Sequence, residues 1–167
     1  MTDPHETPGE ARKKVIDLIE DVGFAMLATH APGGAMHARP MVAKRGSSEG
    51  ELWFFTYADS RKVREIRSEP RILLTYAEPK GQDYVSLNGT AEVVQDAGKV
   101  KELWREPLRT WFPKGPEDPE IALLKVEIVD AEYWDSPSSA MVYAYGYAKA
   151  RLTGEPPKPG DVGKVGF

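Results

Sequence analysis

Arg39 and Lys44 sit in one extended run, Ala38-Arg39-Pro40-Met41-Val42-Ala43-Lys44, and Ser60-Arg61-Lys62 opens a short helical pattern further on. A serine before an apolar-periodic segment is a helix N-cap. Its hydroxyl and the free amides of the first turn then form a natural seat for an anion. Arg61 and Lys62 add positive charge at that seat. Between the two basic groups, Leu52-Trp53-Phe54-Phe55-Thr56-Tyr57 reads as a strand that sets an aromatic wall beside the anion. Taken singly, each element has an ordinary structural role: Ser60 as a cap, Arg61 and Lys62 as a solvated face, Trp53 to Phe55 as a core strand. An anion site joined to flat apolar surface is the chemistry of a nucleotide.

The elements that must position these groups follow from periodicity. Val15, Leu18, Ile19 and Val22 recur at helical spacing and predict an amphipathic helix that ends before Gly23, after a flexible lead-in. Residues 24–29 form a strand, Pro32-Gly33-Gly34 a turn, and residues 36–45 a second strand carrying both Arg39 and Lys44. Pro40 forfeits a ladder amide, which puts that stretch near an edge or bulge where a ligand can approach. Residues 46–50 make a hairpin loop to strand 51–57, and Pro70 closes the helix of residues 60–68. Strands at 71–77 and 83–94 follow, with Gly89 as a candidate bulge. A capped helix spans 96–104, with a short turn near 108–111. The closing strands are expected at 121–129 and 131–135, a helix at 138–152, and an extended arm without strong periodicity after it. This pattern is that of an α+β domain built around an antiparallel barrel.

Composition narrows the chemistry. The 167 residues suit one domain that buries roughly 70% of its unfolded surface. There are no cysteines, which removes disulfides, thiolate metal sites and cysteine nucleophiles together. Of the histidines His5, His30 and His37, only the last two can approach each other, across the turn at 32–34, and they are expected as rim residues rather than metal ligands. A net charge of −4 argues against nucleic acid, so the basic cluster of Lys44, Arg61, Lys62, Arg64 and Arg67 better fits a small anion. No apolar run approaches the roughly 20 residues of a membrane helix, and residues 1–5 carry no basic-then-apolar leader. No membrane association and a cytoplasmic location are the expectations.

The order Arg39-x-x-x-x-Lys44, Phe55-Thr56, Ser60-Arg61-Lys62, Glu69-Pro70 resembles the first half of the pyridoxamine 5'-phosphate oxidase-like superfamily of FMN-binding split β-barrels. Ala131-Glu132-Tyr133-Trp134 resembles the segment by which that superfamily brings a tryptophan to the flavin. Residues 24–29, His37-Ala38-Arg39-Pro40-Met41 and the ending after Trp134 look most like its bacterial general stress protein branch. The resemblance covers about residues 12–153, leaving a flexible segment at 1–11 and a C-terminal arm at 154–167. It implies an antiparallel split β-barrel with flanking helices.

The resemblance also implies a ligand set. Arg39, Lys44, Ser60, Arg61 and Lys62 would hold the FMN phosphate, with several charge-assisted bonds meeting a nearly dianionic group. Pro40, Met41, Val42, Phe55 and Thr56 would border the ring, with FAD as the alternative flavin. The superfamily seats its flavin between two subunits, so a homodimer is implied, with Trp134 and Trp111 supplied by the partner chain. Departures matter equally. Residues 135–140 lack the Arg-x-His pair with which true pyridoxamine phosphate oxidases handle their substrate, and Tyr84 stands where they place a flavin-contacting glutamine. Vitamin B6 oxidation is therefore not expected. No catalytic residue is identified, because no general acid–base pair is recognisable. The reading is a flavin-dependent oxidoreductase of unknown substrate linked to stress response, with a flavin-storage protein or a deazaflavin (F420) reductase as alternatives.

Overall fold

Thr7 and Glu10 cap each other reciprocally: the Thr7 hydroxyl accepts from the Glu10 amide, and the Glu10 carboxylate accepts from the Thr7 amide. Helix α1 (Pro8–Val22) therefore starts earlier than the flexible segment expected at 1–11 allows, with Pro8 in the first turn, where its missing amide costs nothing. The computed structural model describes residues 7–46, 49–135, 147, 149–151 and 161–167. One face of α1 buries Ala11, Val15, Ile16 and Ile19, and Gly23, at φ 76°, ends the helix by donating its amide to the Ile19 carbonyl. Each fully buried aliphatic chain on that face contributes about 1.5–3 kcal/mol.

The helix packs on an antiparallel sheet. Its strands are β1 (Phe24–His30), β2 (Met36–Val42), β3 (Lys44–Arg45), β4 (Glu51–Tyr57), β5 (Arg71–Glu78), β6 (Asp83–Val94), β7 (Ile121–Asp135) and β8 (Asp161–Gly166). Their order is β2-β1-β5-β6-β7-β4-β3, with β8 also on β7. The long strand β7 serves two neighbours along one edge, β4 beside residues 121–127 and β8 beside 130–135, while β6 runs along the other. Helices α2 (Arg61–Ser68) and α3 (Ala97–Leu103) flank the sheet, and a 3-10 turn, Glu106–Thr110, follows α3. The fold is α+β, an antiparallel, incompletely closed barrel with flanking helices. Among the described residues no helix is long and apolar enough to cross a membrane.

The strand expected over 36–45 is interrupted at Ala43, because its two parts answer to different partners. β2 pairs with β1, whereas Lys44 and Arg45 pair with Trp53 and Leu52 of β4. Two strands consecutive in the chain thus stand at opposite ends of the sheet order, and the sheet has to curl until those ends meet. Continuing the β3–β4 register would set Val42 opposite Phe55, Met41 opposite Thr56 and Pro40 opposite Tyr57. The ladder makes none of these pairs. β2 is committed to β1 on its other edge, and Pro40 has no amide to give. A seam is left between residues 40–42, which pair with β1, and residues 55–57, which pair with β7, because the two segments do not pair with each other.

Two other expectations change. The closing strands at 121–129 and 131–135 are a single strand, since β6 accompanies both; the register shift where Asn88 and Gly89 face Asp130 and Ile128 leaves Val129 of β7 as the extra residue. Within the expected C-terminal arm, residues 161–166 form β8, which β7 captures with its free edge. The helix expected at 138–152 lies largely outside the described residues; Tyr147 and residues 149–151 are helical.

The main core fills the barrel with Leu27, Phe54, Leu74, Leu87, Leu124 and Val126, and a second cluster joins Trp53, Phe55, Val100, Phe112, Ile121 and Leu123. β4 lies between them, buried on both faces. At the bulge, a Cβ on Gly89 would stand 2.7 Å from the Glu127 carbonyl oxygen and 3.1 Å from Val126 Cγ1. Gly89→Ala is expected to destabilise the fold by about 1–3 kcal/mol, seen as a lower urea midpoint at unchanged slope. An unshifted midpoint would count against this close approach of β6 and β7.

Candidate functional site

The seam between β2 and β4 opens into a cavity of about 450 Å³, within the range of small-molecule sites. Pro40, Met41 and Val42 line one side and Phe55, Thr56 and Tyr57 the other. Lys44 closes one end, Lys62 enters from α2, and Arg105, Pro107, Leu108, Trp111 and Phe112 form an outer wall. Backbone along an unpaired strand edge offers alternating donors and acceptors, which suits the polar rim of a flat heterocycle.

Polar groups gather at the start of α2. Ser60 is the N-cap by its backbone, yet its side chain makes no capping bond. Its hydroxyl lies 3.2 Å from the Thr56 hydroxyl, which also accepts from Lys62 Nζ at 2.9 Å. The Val63 amide donates to the Ser60 carbonyl at 3.1 Å, so it is the Arg61 and Lys62 amides of the first turn that are left to a ligand. Burial lowers the Lys62 pKa and the nearby Arg39 charge lowers it further, with Glu65 partly opposing. An arriving anion relieves both penalties. Among the described residues no carboxylate lies within 4 Å of Lys44, Lys62 or Arg105. Most other cations of this acidic chain are paired, as in Arg71–Glu69 and Lys114–Glu120.

Behind this cluster sits a buried carboxylate that sequence reasoning missed. Glu65, 3% exposed, accepts from the Thr29 hydroxyl at 2.5 Å, His37 Nδ1 at 2.6 Å and Arg39 Nη2 at 3.1 Å. Arg39 Nη1 also donates to the Thr29 hydroxyl at 2.5 Å. Burial alone would push the Glu65 carboxyl up. The hydrogen bonds from Thr29, His37 and Arg39, with the guanidinium charge, outweigh it and hold the pKa at about 2. The signal available in the sequence was modest: Glu65 falls one turn beyond Lys62 and next to Ile66 on the helix face that Val63 and Ile66 bury, while His37 and Arg39 share one face of β2.

The aromatic wall is braced by its own contacts. Phe55 packs edge-on to Trp104, with centroids 6.0 Å apart, and Tyr57 stacks obliquely on Phe112 at 5.0 Å. The Tyr57 hydroxyl donates to the Trp111 carbonyl at 3.2 Å, tying the wall to β4.

Of the residues expected at the site, the structure brings Pro40, Met41, Val42, Lys44, Phe55, Thr56, Lys62 and Trp111 to one cavity. Ser60 adjoins it through Thr56. Arg39 stands behind it, its guanidinium engaged by Glu65 and Thr29. Arg61 faces solvent at 62% side-chain exposure, 3.6 Å from Glu65. Trp111 lines the cavity of its own chain, while Trp134 lies on β7 opposite Tyr84 and Val162, outside the cavity lining. Arg105 and Pro107 were not anticipated, because nothing in the sequence indicates that the turn after α3 folds over the seam.

The family model for pyridoxamine 5'-phosphate oxidase-like proteins matches residues 10–158. The chain belongs to that family. General stress protein 26 of Bacillus subtilis is 29% identical over 124 residues, 72% of this chain and 86% of that protein. A candidate general stress protein 26 from Jannaschia sp. CCS1 has a crystal structure that superposes with a TM-score of 0.74 at 26% identity, covering 96% of this chain and 100% of the other. The general stress FMN/FAD binding protein of Xanthomonas citri superposes at 0.68 with 28% identity, over 78% of this chain and 92% of that one. The curled sheet is therefore the split barrel of this family.

Glu65 makes the family member acid-sensitive in a defined window. Its folded pKa lies below the ordinary 4.5, so the unfolded chain takes up the proton first as pH falls. The stabilisation is complete above about 4.5 and is lost as pH drops toward about 2. Glu65→Gln is expected to cost about 3 kcal/mol at neutral pH by leaving Arg39 unpaired, and to flatten the acid limb of a stability–pH curve. A variant that keeps the wild-type acid limb would assign that limb to other carboxylates.

Proposed function

We propose that this member of the pyridoxamine 5'-phosphate oxidase-like family binds FMN in the seam between β2 and β4 and acts as a flavin-dependent oxidoreductase. The observation that carries the reading is the pair of cations, Lys44 and Lys62, left without carboxylate partners at an open strand edge. Lys62, Lys44 and the Thr56 and Ser60 hydroxyls would hold the phosphate, joined by the open amides of α2. Backbone on the facing edges of residues 40–42 and 55–57 would meet the polar edge of the ring, and Phe55 its apolar part. Arg39 contributes charge from behind rather than a direct contact, and Arg61 faces solvent. Bound flavin supplies hydride or single-electron transfer; the protein's part is to bind, orient and tune.

The name of the Xanthomonas citri relative, which includes FMN and FAD, supports a flavin. A stress-linked role rests on the names of the general stress protein relatives. A storage role is the second reading. His37 and Glu65 form a carboxylate–imidazole pair behind the site, yet neither lines the cavity, so among the described residues no such pair faces a substrate there.

A homodimer is the further part of the proposal. One face of the β1–β2 hairpin presents Phe24, Met26, Ala28, Ala38, Pro40 and Val42 together, with Phe24 63% and Met26 43% exposed. A contiguous apolar sheet face of this kind needs a cover. It borders the seam through Pro40 and Val42, so a second copy seated there would bring the flavin to the interface and could add its own Trp134.

Two measurements test the proposal. Protein incubated with FMN and desalted should retain about one flavin per chain by visible absorption, and Lys62→Ala should weaken binding at least roughly tenfold, the loss of one charge-assisted contact. Wild-type protein that retains no flavin would overturn the cofactor assignment. In sedimentation, Met26→Asp should convert a dimer to a monomer; a monomeric wild type would remove the dimer from the reading.

A further inference from the structure

Three cations line the cavity, but a phosphate monoester brings a charge of only about −1.5 to −2. In the flavin reading Lys44 and Lys62 would balance it. Arg105 is left over, on a different element, at the junction between α3 and the 3-10 turn. Only its Nη1 is used, donating to the Trp104 carbonyl at 2.7 Å and to the Glu102 carbonyl at 3.4 Å. The Nε and Nη2 edge of the guanidinium has no partner among the described residues. Arg109, in the same turn, spends that same edge on Glu106. A free Nε–Nη2 fork is the geometry that grips a planar or paired set of anionic oxygens.

The other end of the turn carries Trp111. Its amide donates to the Leu108 carbonyl at 2.9 Å and its carbonyl accepts from Tyr57 at 3.2 Å, so the backbone is pinned at both groups. The side chain nevertheless leaves the residue 69% exposed at the mouth of the cavity. An indole fixed at its root and bare on its faces is a stacking platform for an aromatic base.

We propose that Arg105 and Trp111 recognise an adenosine diphosphate group, Arg105 gripping the diphosphate and Trp111 stacking on the adenine. This rests on the flavin reading of the cavity. Two molecules of flavin chemistry carry that group: FAD, whose inner phosphate is the FMN phosphate of the seam and whose outer phosphate and adenosine would extend to the wall, and a reduced nicotinamide dinucleotide docking over bound FMN.

The test is a set of titrations on full-length wild type, Arg105→Ala, Arg105→Lys and Trp111→Ala. FMN and FAD are followed by flavin fluorescence, ADP by calorimetry on flavin-free protein, since bound FMN would occupy the inner phosphate position, and NADH by calorimetry on FMN-saturated protein. Arg105→Ala should weaken ADP at least roughly tenfold while FMN changes less than about threefold, since one charge-assisted contact is lost from one ligand only. Arg105→Lys should recover part of the loss, and Trp111→Ala should also weaken ADP. A matching loss for FAD assigns the group to the cofactor; a matching loss for NADH assigns it to the co-substrate. Affinities for ADP, FAD and NADH all within threefold of wild type in Arg105→Ala would overturn the proposal, as would an equal loss for FMN. Failure of the flavin reading is seen separately, as wild type that binds no FMN, and ADP titrated into that unloaded protein still reads Arg105.

Discussion

A single stretch of chain cannot hydrogen-bond to two strands at opposite ends of a sheet without bending the sheet around to meet it. Residues 36–45 do this, with β2 held by β1 and β3 held by β4. The sheet consequently closes where Lys44 pairs with Trp53 and gapes where Pro40, Met41 and Val42 turn away from β4. The opening is thus a consequence of the closure, because backbone committed to β1 cannot also zip onto β4. Each feature of the candidate site hangs on that gap: exposed strand edges, a lysine at its closed end, and room for α2 to present its first turn.

Glu65 provides a second constraint of a different kind. A carboxylate that is 3% exposed is tolerable only when its lone pairs are met, and it draws Thr29 from β1 and both His37 and Arg39 from β2. That network docks α2 against the β1–β2 hairpin, so the rotation of the helix is set by a polar contact that admits few alternatives. With Glu65 turned inward, Lys62, one turn earlier, is directed at the seam. The same network explains why an arginine that looks like a phosphate ligand stands behind the cavity: its charge is already met by a buried partner.

What could be read beforehand divides along physical lines. Local signals were legible. The α1 stripe, the Asp96 cap, the bulge at Gly89 and the stop at Gly23 depend on residues a few positions apart, and the structure contains all of them. The cavity's cationic and aromatic lining was also legible, as Lys44, Phe55, Thr56 and Lys62, because the spacing of those residues carries a family pattern. The break at Ala43, the union of β7 and the capture of β8 were hidden, since each is decided by which distant strand offers a free edge. Arg105 was hidden for the same reason: its role depends on where a 3-10 turn lies in space. Glu65 was hidden because the one carboxylate on a short, basic amphipathic helix ordinarily faces solvent.

The distribution of charge gives the strongest reason to regard the seam as built for a ligand. A chain with 26 carboxylates and 22 Lys and Arg could pair its cations, and over much of the surface it does. At the seam it leaves Lys44 and Lys62 unpaired, and it partly buries Lys62 beside Arg39, a placement that burial and like charge both oppose. Such an arrangement weakens the unliganded fold. Selection for stability alone would have placed a glutamate within reach, as it did for Lys114 and Lys125. The missing counter-charge is most simply explained if an anion from solution supplies it. Folding and binding are then linked, with the protein most stable when its ligand is present.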